Sequence, residues 1–244
     1  MCSSRWSPRS PSWLLLNEIT AKFKPFSGLP LPKRHARRKN HGIMPDAIEL
    51  LRTRRSLKPG ELTGPGPSPA EIETLITIAS RVPDHGKLRP WRFIVFEGDA
   101  RLKAGAAIEA AFRTKYADVK PEQAEYERKR LARAPLVIAV VSRALPHVKI
   151  PEWEQVLSAG AAAMSLVLAA HALGYAANWI TEWYAYDRGV LAALGVNENE
   201  RVAGFIHIGR PAHSPEDRPR PTVDEVTTRF AGSALISPRR YQPP

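Results

Sequence analysis

The segment 151–173, PEWEQVLSAGAAAMSLVLAAHAL, restricts the fold more than any other part of this chain. It carries one continuous helical pattern, and Gly174 follows it where helices commonly end in a left-handed residue. From 158 to 172 most side chains are alanine, glycine or serine. A helix so poor in bulk gains burial only where neighbouring backbones come close, so it belongs at the centre of the fold or at a contact between subunits. Its apolar run, 161–173, is interrupted by Ser165 and His171 and is shorter than the roughly 20 residues that cross a bilayer. No membrane association is expected.

Around this helix the pattern is α+β. WRFIVFE at 91–97 reads as a buried strand, LVIAVVS at 136–142 as a second, and 176–180 and 202–208 as two more. Ser68, Pro69 and Glu71 supply the hydroxyl, the N1 proline and the N3 carboxylate of a capping box, which starts a helix carrying Ile72, Leu75, Ile76 and Ala79 on one face. Before it, Pro45 and Asp46 open a short helix with Ile48, Leu50 and Leu51, and 60–67 reads as a Gly/Pro loop. Helices are also expected at 99–116, 121–133 and 189–194; the second is almost wholly polar and reads as surface or a mobile lid. The expected architecture is a mixed four- to five-stranded sheet surrounded by helices, with the small-residue helix central.

The net charge of +12 and a pI near 10.1 invite a nucleic-acid reading. The charge is uneven: 1–43 holds nine Lys/Arg against Glu18 alone, so this stretch supplies +8 of the +12. The remainder has an ordinary globular surface. Three divisions follow: a basic extension over 1–43, a folded body over 44–232 and a tail over 233–244. The extension reads as a disordered arm or as sequence upstream of a start at Met44; a targeting presequence or a nucleic-acid arm are the alternatives. The single cysteine, Cys2, allows no intramolecular disulfide and suits the cytoplasm. No metal site is expected.

At 51–59, LRTRRSLKP, a short amphipathic helix runs into Arg54, Arg55, Ser56 and Lys58. Fixed cations beside a hydroxyl suit a phosphate dianion, whereas cations at a helix C-terminus also follow from the helix dipole alone. Two further basic turns lie at element ends: Arg81 with His85, ahead of Arg89, and Arg218 with Arg220. There is no G-x-G-x-x-G after a strand, no Walker lysine loop and no H-E-x-x-H, so dinucleotide-fold, P-loop and zincin readings lack support.

Four blocks then occur in order: R-R-S-x-K at 54–58, A-S-R-x-P-D-H-x-x-x-x-P-W-x-F at 79–93, P-x-W-E-Q-x-x-S-A-G at 151–160, and G-F-x-x-x-G-x-P at 204–211. Together they resemble the FMN-dependent nitroreductase family, specifically its short NAD(P)H nitroreductase branch, over roughly 44–230. The resemblance implies a homodimer with FMN at the subunit interface, NAD(P)H as reductant and a small-molecule electron acceptor. Carried over by position, it assigns the FMN phosphate and ribityl chain to Arg54, Arg55 and Ser56, and places Lys58 near the flavin pyrimidine. It makes Arg81 and His85 further FMN contacts, puts Trp179, Ile180 and Thr181 beside the isoalloxazine, and gives the nicotinamide nucleotide to Ala169, Ala170, His171, Ala172, Leu173 and Gly174. Arg218 and Arg220 would complete the phosphate site. Arg89 departs from the family, which often carries an amide there.

A flavin brings its own redox chemistry, so no catalytic side chain is assigned, in keeping with a sequence lacking an evident nucleophile or carboxylate pair. His171 and His207 are expected to be satisfied core or surface histidines, Glu152, Trp153 and Glu154 to cap and pack the long helix, and Trp183, Tyr184 and Tyr186 to lie in a flavin pocket or in the core. The function expected is a flavin oxidoreductase working by ping-pong on nitroaromatic, quinone or similar acceptors. A dehalogenase-like or flavin-consuming enzyme of the same fold, and a basic nucleic-acid-binding protein, are the alternatives.

Overall fold

The computed structural model describes residues 47–230 and Gly232. The expected basic extension over 1–43 and the tail over 233–244 lie outside the described residues. The chain runs α1 (Ala47–Thr53), β1 (Leu62–Thr63), α2 (Pro69–Ala79), β2 (Trp91–Glu97), α3 (Ala100–Lys115), α4 (Pro121–Arg128), β3 (Leu136–Ser142), α5 (Glu152–Ala172), β4 (Ala176–Ile180), α6 (Arg188–Ala193), β5 (Arg201–Pro211) and α7 (Val223–Val226). The α+β class is as expected, and β2, β3 and β4 have the limits read from the sequence.

The capping box at Ser68 is present. Its Oγ accepts from the Glu71 N–H at 3.4 Å, and the Glu71 carboxylate accepts from the Ser68 N–H at 2.8 Å. Alternation of side chains along a strand then builds two cores from one sheet. Leu136, Ile138 and Val140 of β3, with Ile206 and Ile208 of β5, face α2 and α5. Val137, Ala139, Val141 and Phe205 face Ala104 and Ile108 of α3 and Val190 and Leu191 of α6. All seven β3 residues are buried, as a central strand covered on both faces requires.

The sheet differs from expectation in being antiparallel rather than mixed at every hydrogen-bonded pair among the described residues. Ile206 pairs with both Ile138 of β3 and Trp179 of β4, so β5 lies between these two strands. The α5 crossover does leave β3 and β4 pointing the same way, but β5 separates them and takes both sets of hydrogen bonds. The last residues of β5 pair with β1, which the sequence hid within its Gly/Pro loop. β2 pairs with β3 and is only part-buried along its middle, so it is less enclosed than its composition suggested.

α5 is, by length and composition alone, apolar enough to cross a bilayer, which the shorter run 161–173 did not indicate. Its inner face is core: Ala159, Ala162, Ala163, Leu166, Ala169 and Ala170 pack against α2 and the sheet. Its outer face is less covered, with Trp153 68% and Leu157 53% exposed. Trp153 therefore does not pack the helix within the chain as expected. α1 lies against α5 and presents Ile48 and Leu51 outward as well.

The α4 segment is no loose lid. Ala124 and Glu127 are buried, and Glu127 binds Arg130 at 2.6 Å and accepts from the Trp183 indole at 3.0 Å. α3 reaches α4 by close backbone contact at Gly105, where a Cβ would overlap the Arg128 carbonyl. Gly105→Ala should therefore lower stability by about 1–3 kcal/mol despite alanine's better helix propensity. Urea unfolding checks this; a midpoint equal to or above that of the parent would show that the α3–α4 contact yields freely.

Candidate functional site

The basic segment after α1 is fixed by one apolar side chain and one amide. Leu57 is 4% exposed and packs with Leu62, Ala134 and Ala176. Its carbonyl accepts from Asn178 Nδ2 of β4 at 2.5 Å. The next residue's N–H, that of Lys58, donates to Glu61 Oε2 at 2.8 Å. Neither Leu57 nor Asn178 was singled out from sequence; the available signal was a lone apolar residue inside a basic run. These bonds hold Arg54, Arg55 and Ser56, all part-buried, beside the C-terminal end of α5.

Arg54, Arg55, Arg218 and Arg220 converge. Burial, and then the positive charges of Arg220, Arg55 and Arg218, hold the Arg54 guanidinium below its usual pKa. Arg55 Nε donates to the Glu216 carbonyl at 3.0 Å and lies 3.7 Å from the Asp217 carboxylate, which is also 3.7 Å from Arg220. One exposed carboxylate thus serves two of the four guanidiniums. Burial and the Arg54 charge push His171, near the end of α5, down to about 4. Its Nε2 is buried with no hydrogen-bond partner among the described residues. The side chains of Ala169 and Ala170 face the core, so within the stretch expected to meet the nicotinamide nucleotide these two offer only their backbone. Leu173 packs against the same core; Gly174 is exposed at φ 82°.

Arg81 and His85 lie elsewhere. His85 Nδ1 is 2.8 Å from Glu154 Oε2 near the first turn of α5. Ser158 Oγ donates to the Pro83 carbonyl at 2.6 Å and accepts from Trp91 Nε1 at 3.1 Å, fixing this turn to the helix. From Glu154 to His171 the helix rises about 25 Å, so a single chain does not bring the two sets of predicted contacts together. On β4, the Trp179 indole lies over Gly204, where a Cβ would collide with it, and donates to the Ala203 carbonyl at 3.0 Å. Ile180 and Thr181 are part-buried next to it. Glu182 is gripped by Arg130 and Arg133 at 3.0 and 2.5 Å. Tyr184 is fully buried, Trp183 partly so, and Tyr186 exposed. Among the described residues no group of His, Cys, Asp or Glu could hold a metal ion.

The nitroreductase family model matches residues 51–210. A Haemophilus influenzae protein named "Putative NAD(P)H nitroreductase" is 38% identical over 75% of this chain and 98% of its own length. Among solved structures, a nitroreductase-like family protein from Bacillus cereus superposes with TM-score 0.68 at 21% identity, over 77% of this chain and 97% of its own. A mutant of NfnB, an FMN and NADPH-dependent nitroreductase derived from sphigopyxis sp. strain HMH, superposes with TM-score 0.57 at 22% identity, over 77% of this chain and 100% of its own. The chain belongs to the nitroreductase family.

This nitroreductase-family oxidoreductase has one buried and one part-buried histidine, His207 and His171, each with a buried ring nitrogen left without a partner among the described residues, contrary to the expectation that they would be satisfied. His207 is fully buried, with Nε2 3.3 Å from the Arg130 carbonyl and Nδ1 unpartnered among the described residues. Burial is the main cause that pushes it, too, down to about 4. Both folded-state values lie below the ordinary 6.5, so the unfolded chain binds more protons as pH falls. Stability must then drop between about pH 6.5 and pH 4, by up to about 1.4 kcal/mol per pH unit for each fully shifted histidine. Urea midpoints measured from about pH 7 to about pH 5 should decline, and His207→Gln should flatten that decline. An identical slope in the variant would contradict the assignment.

Proposed function

We propose that this chain is an FMN-dependent NAD(P)H oxidoreductase that passes two electrons to nitroaromatic, quinone or similar acceptors by a ping-pong mechanism. The observation that carries this reading is the four-arginine cluster, in which Arg54 is part-buried among like charges. Holding cations together out of water is unfavourable unless an anion joins them, and a phosphate dianion supplies that charge with several acceptor oxygens. The buried, unpartnered His171 Nε2 adds a polar atom at the same place. The names of the Haemophilus relative and of NfnB agree with FMN and a nicotinamide reductant.

FMN, when bound, would supply the two-electron chemistry, taking hydride from NAD(P)H and giving it to the acceptor. In this reading Arg54, Arg55, Arg218 and Arg220 hold its phosphate, with Ser56 and Lys58 continuing along the ligand and Trp179, Ile180 and Thr181 forming a wall. His171, kept neutral, limits further positive charge at that end. Arg81 and His85 contribute from the opposite end of α5, and therefore from a second copy of the chain. Homodimer formation is supported by the apolar outer surface of α5 and α1, where Ile48, Leu51, Trp153, Val156 and Leu157 are exposed in one chain. The FMN-binding domain is 44–232, with 1–43 as a dispensable extension, and a cytoplasmic site of action suits the single cysteine.

Arg54→Ala tests the phosphate contact. Losing a charge-assisted hydrogen bond of about 1.5–3 kcal/mol should weaken FMN binding by roughly tenfold or more. Riboflavin, which lacks the phosphate, should bind parent and variant about equally. Titration of both flavins into both apoproteins decides the matter: an unchanged FMN-to-riboflavin ratio, or a colourless parent that takes up no flavin, would overturn the reading.

A further inference from the structure

A cavity of about 610 Å³ lies beside the N-terminal end of α5, lined by Leu88, Arg89, Pro90, Arg143, Leu145, Pro146, His147 and Gln155. It adjoins the His85 turn, since Pro90 and Gln155 also line the small space next to His85 and Glu154. Its volume falls within the range of small-ligand sites. Leu88, Leu145 and the two prolines give it an apolar wall, and Arg89, Arg143 and His147 give it donors.

All three donors are exposed, and what the fold holds in place is the Arg89 backbone, the Arg143 guanidinium and the His147 ring. Arg89 has φ 49°, a left-handed conformation unfavourable to a side-chain-bearing residue. It is fixed from both sides: its N–H donates to the Asp84 carboxylate at 3.0 and 3.2 Å, and its carbonyl accepts from Arg143 Nη2 at 2.7 Å. Such strain persists only where the surroundings enforce it, and it clusters at functional sites. Arg143 also donates to the Trp91 carbonyl at 3.2 Å. Gln155 braces the far wall through the Leu145 N–H and carbonyl at 3.2 and 2.7 Å. His147 Nδ1 accepts from the N–H groups of Lys149 and Ile150 at 3.2 and 3.1 Å, which leaves its proton on Nε2 as a donor. Among the described residues neither Arg89 nor Arg143 has a carboxylate within ion-pair distance; Glu200 feels Arg143 only at longer range.

We infer that this cavity is an acceptor subsite for an anionic aromatic compound. The ring lies on Leu88, Pro90, Leu145 and Pro146, and a carboxylate meets Arg89, Arg143 and His147. This rests on the flavin reading for the redox step and on the cavity alone for the binding step. Arg89, whose guanidinium has no carboxylate within ion-pair distance among the described residues, is the residue that sets the charge preference.

The test compares 4-nitrobenzoate with the uncharged 4-nitrobenzamide as acceptors, and separately titrates benzoate into the purified full-length protein by calorimetry. The parent should favour the carboxylate by roughly tenfold or more in kcat/KM. Arg89→Gln should bring that ratio towards one and lose benzoate binding, while Arg89→Lys should restore part of both. A parent ratio near one, a ratio unchanged in Arg89→Gln, or a variant that alters only the KM of the nicotinamide nucleotide would overturn the inference. Benzoate binding that depends on Arg89 in a protein without flavin would uphold the subsite and defeat the flavin reading. A flavin-loaded, active parent that ignores benzoate would do the reverse.

Discussion

The close packing of α5 on the sheet is the interaction on which the rest depends. Alanine buries little surface on its own, so Ala159, Ala162, Ala163 and Ala170 contribute only by letting β3, β5 and α2 approach the helix closely. That closeness fixes where the ends of the helix emerge. At the first end, Glu154 and Ser158 organise the turn that carries Asp84 and His85. At the last, His171 lies among the charges that surround Arg54. The same packing leaves the opposite face of α5 with exposed Trp153, Val156 and Leu157 and no covering element among the described residues.

The electrostatics follow from this geometry. Four arginines from two distant parts of the chain are brought together because Leu57 anchors one segment and β5 leads directly into the other. Self-repulsion within that group is offset by one exposed aspartate alone, so an anion bound there would stabilise the protein. The second donor group, at Arg89, Arg143 and His147, differs in kind: its cations are few, its wall is apolar and its backbone is strained. A phosphate suits the first and a carboxylate on a ring suits the second.

Much of this was legible in the sequence, for reasons that can be named. β3 announced itself through six apolar, β-branched-rich residues ahead of Ser142, α2 through a capping box, and the end of α5 through Gly174. What sequence could not give was the third dimension. Nothing local in Val202–Ile208 says that the strand enters between β3 and β4, so the sheet was expected to be mixed. Ala169 and Ala170 look like neighbours of His171, yet a helix turns by about 100° per residue and they face the core. His207 lies on a strand whose apolar neighbours implied burial, but its missing partner depends on which carbonyls the fold brings near. Asn178 and Leu57 are ordinary residues made important by one bond across the molecule.

The separation of the two basic groups along α5 carries the consequence most open to experiment. If Arg54 of one chain and His85 of another form one flavin site, Arg54→Ala and His85→Ala chains should each bind FMN poorly alone. Refolded together, they should recover tight FMN binding at about one quarter of the parent's sites, because half of the dimers are mixed and each mixed dimer holds one intact site. No recovery above the level of the separate variants would place both residues in a site within one chain, or outside the flavin site altogether, and would contradict a site shared between two subunits.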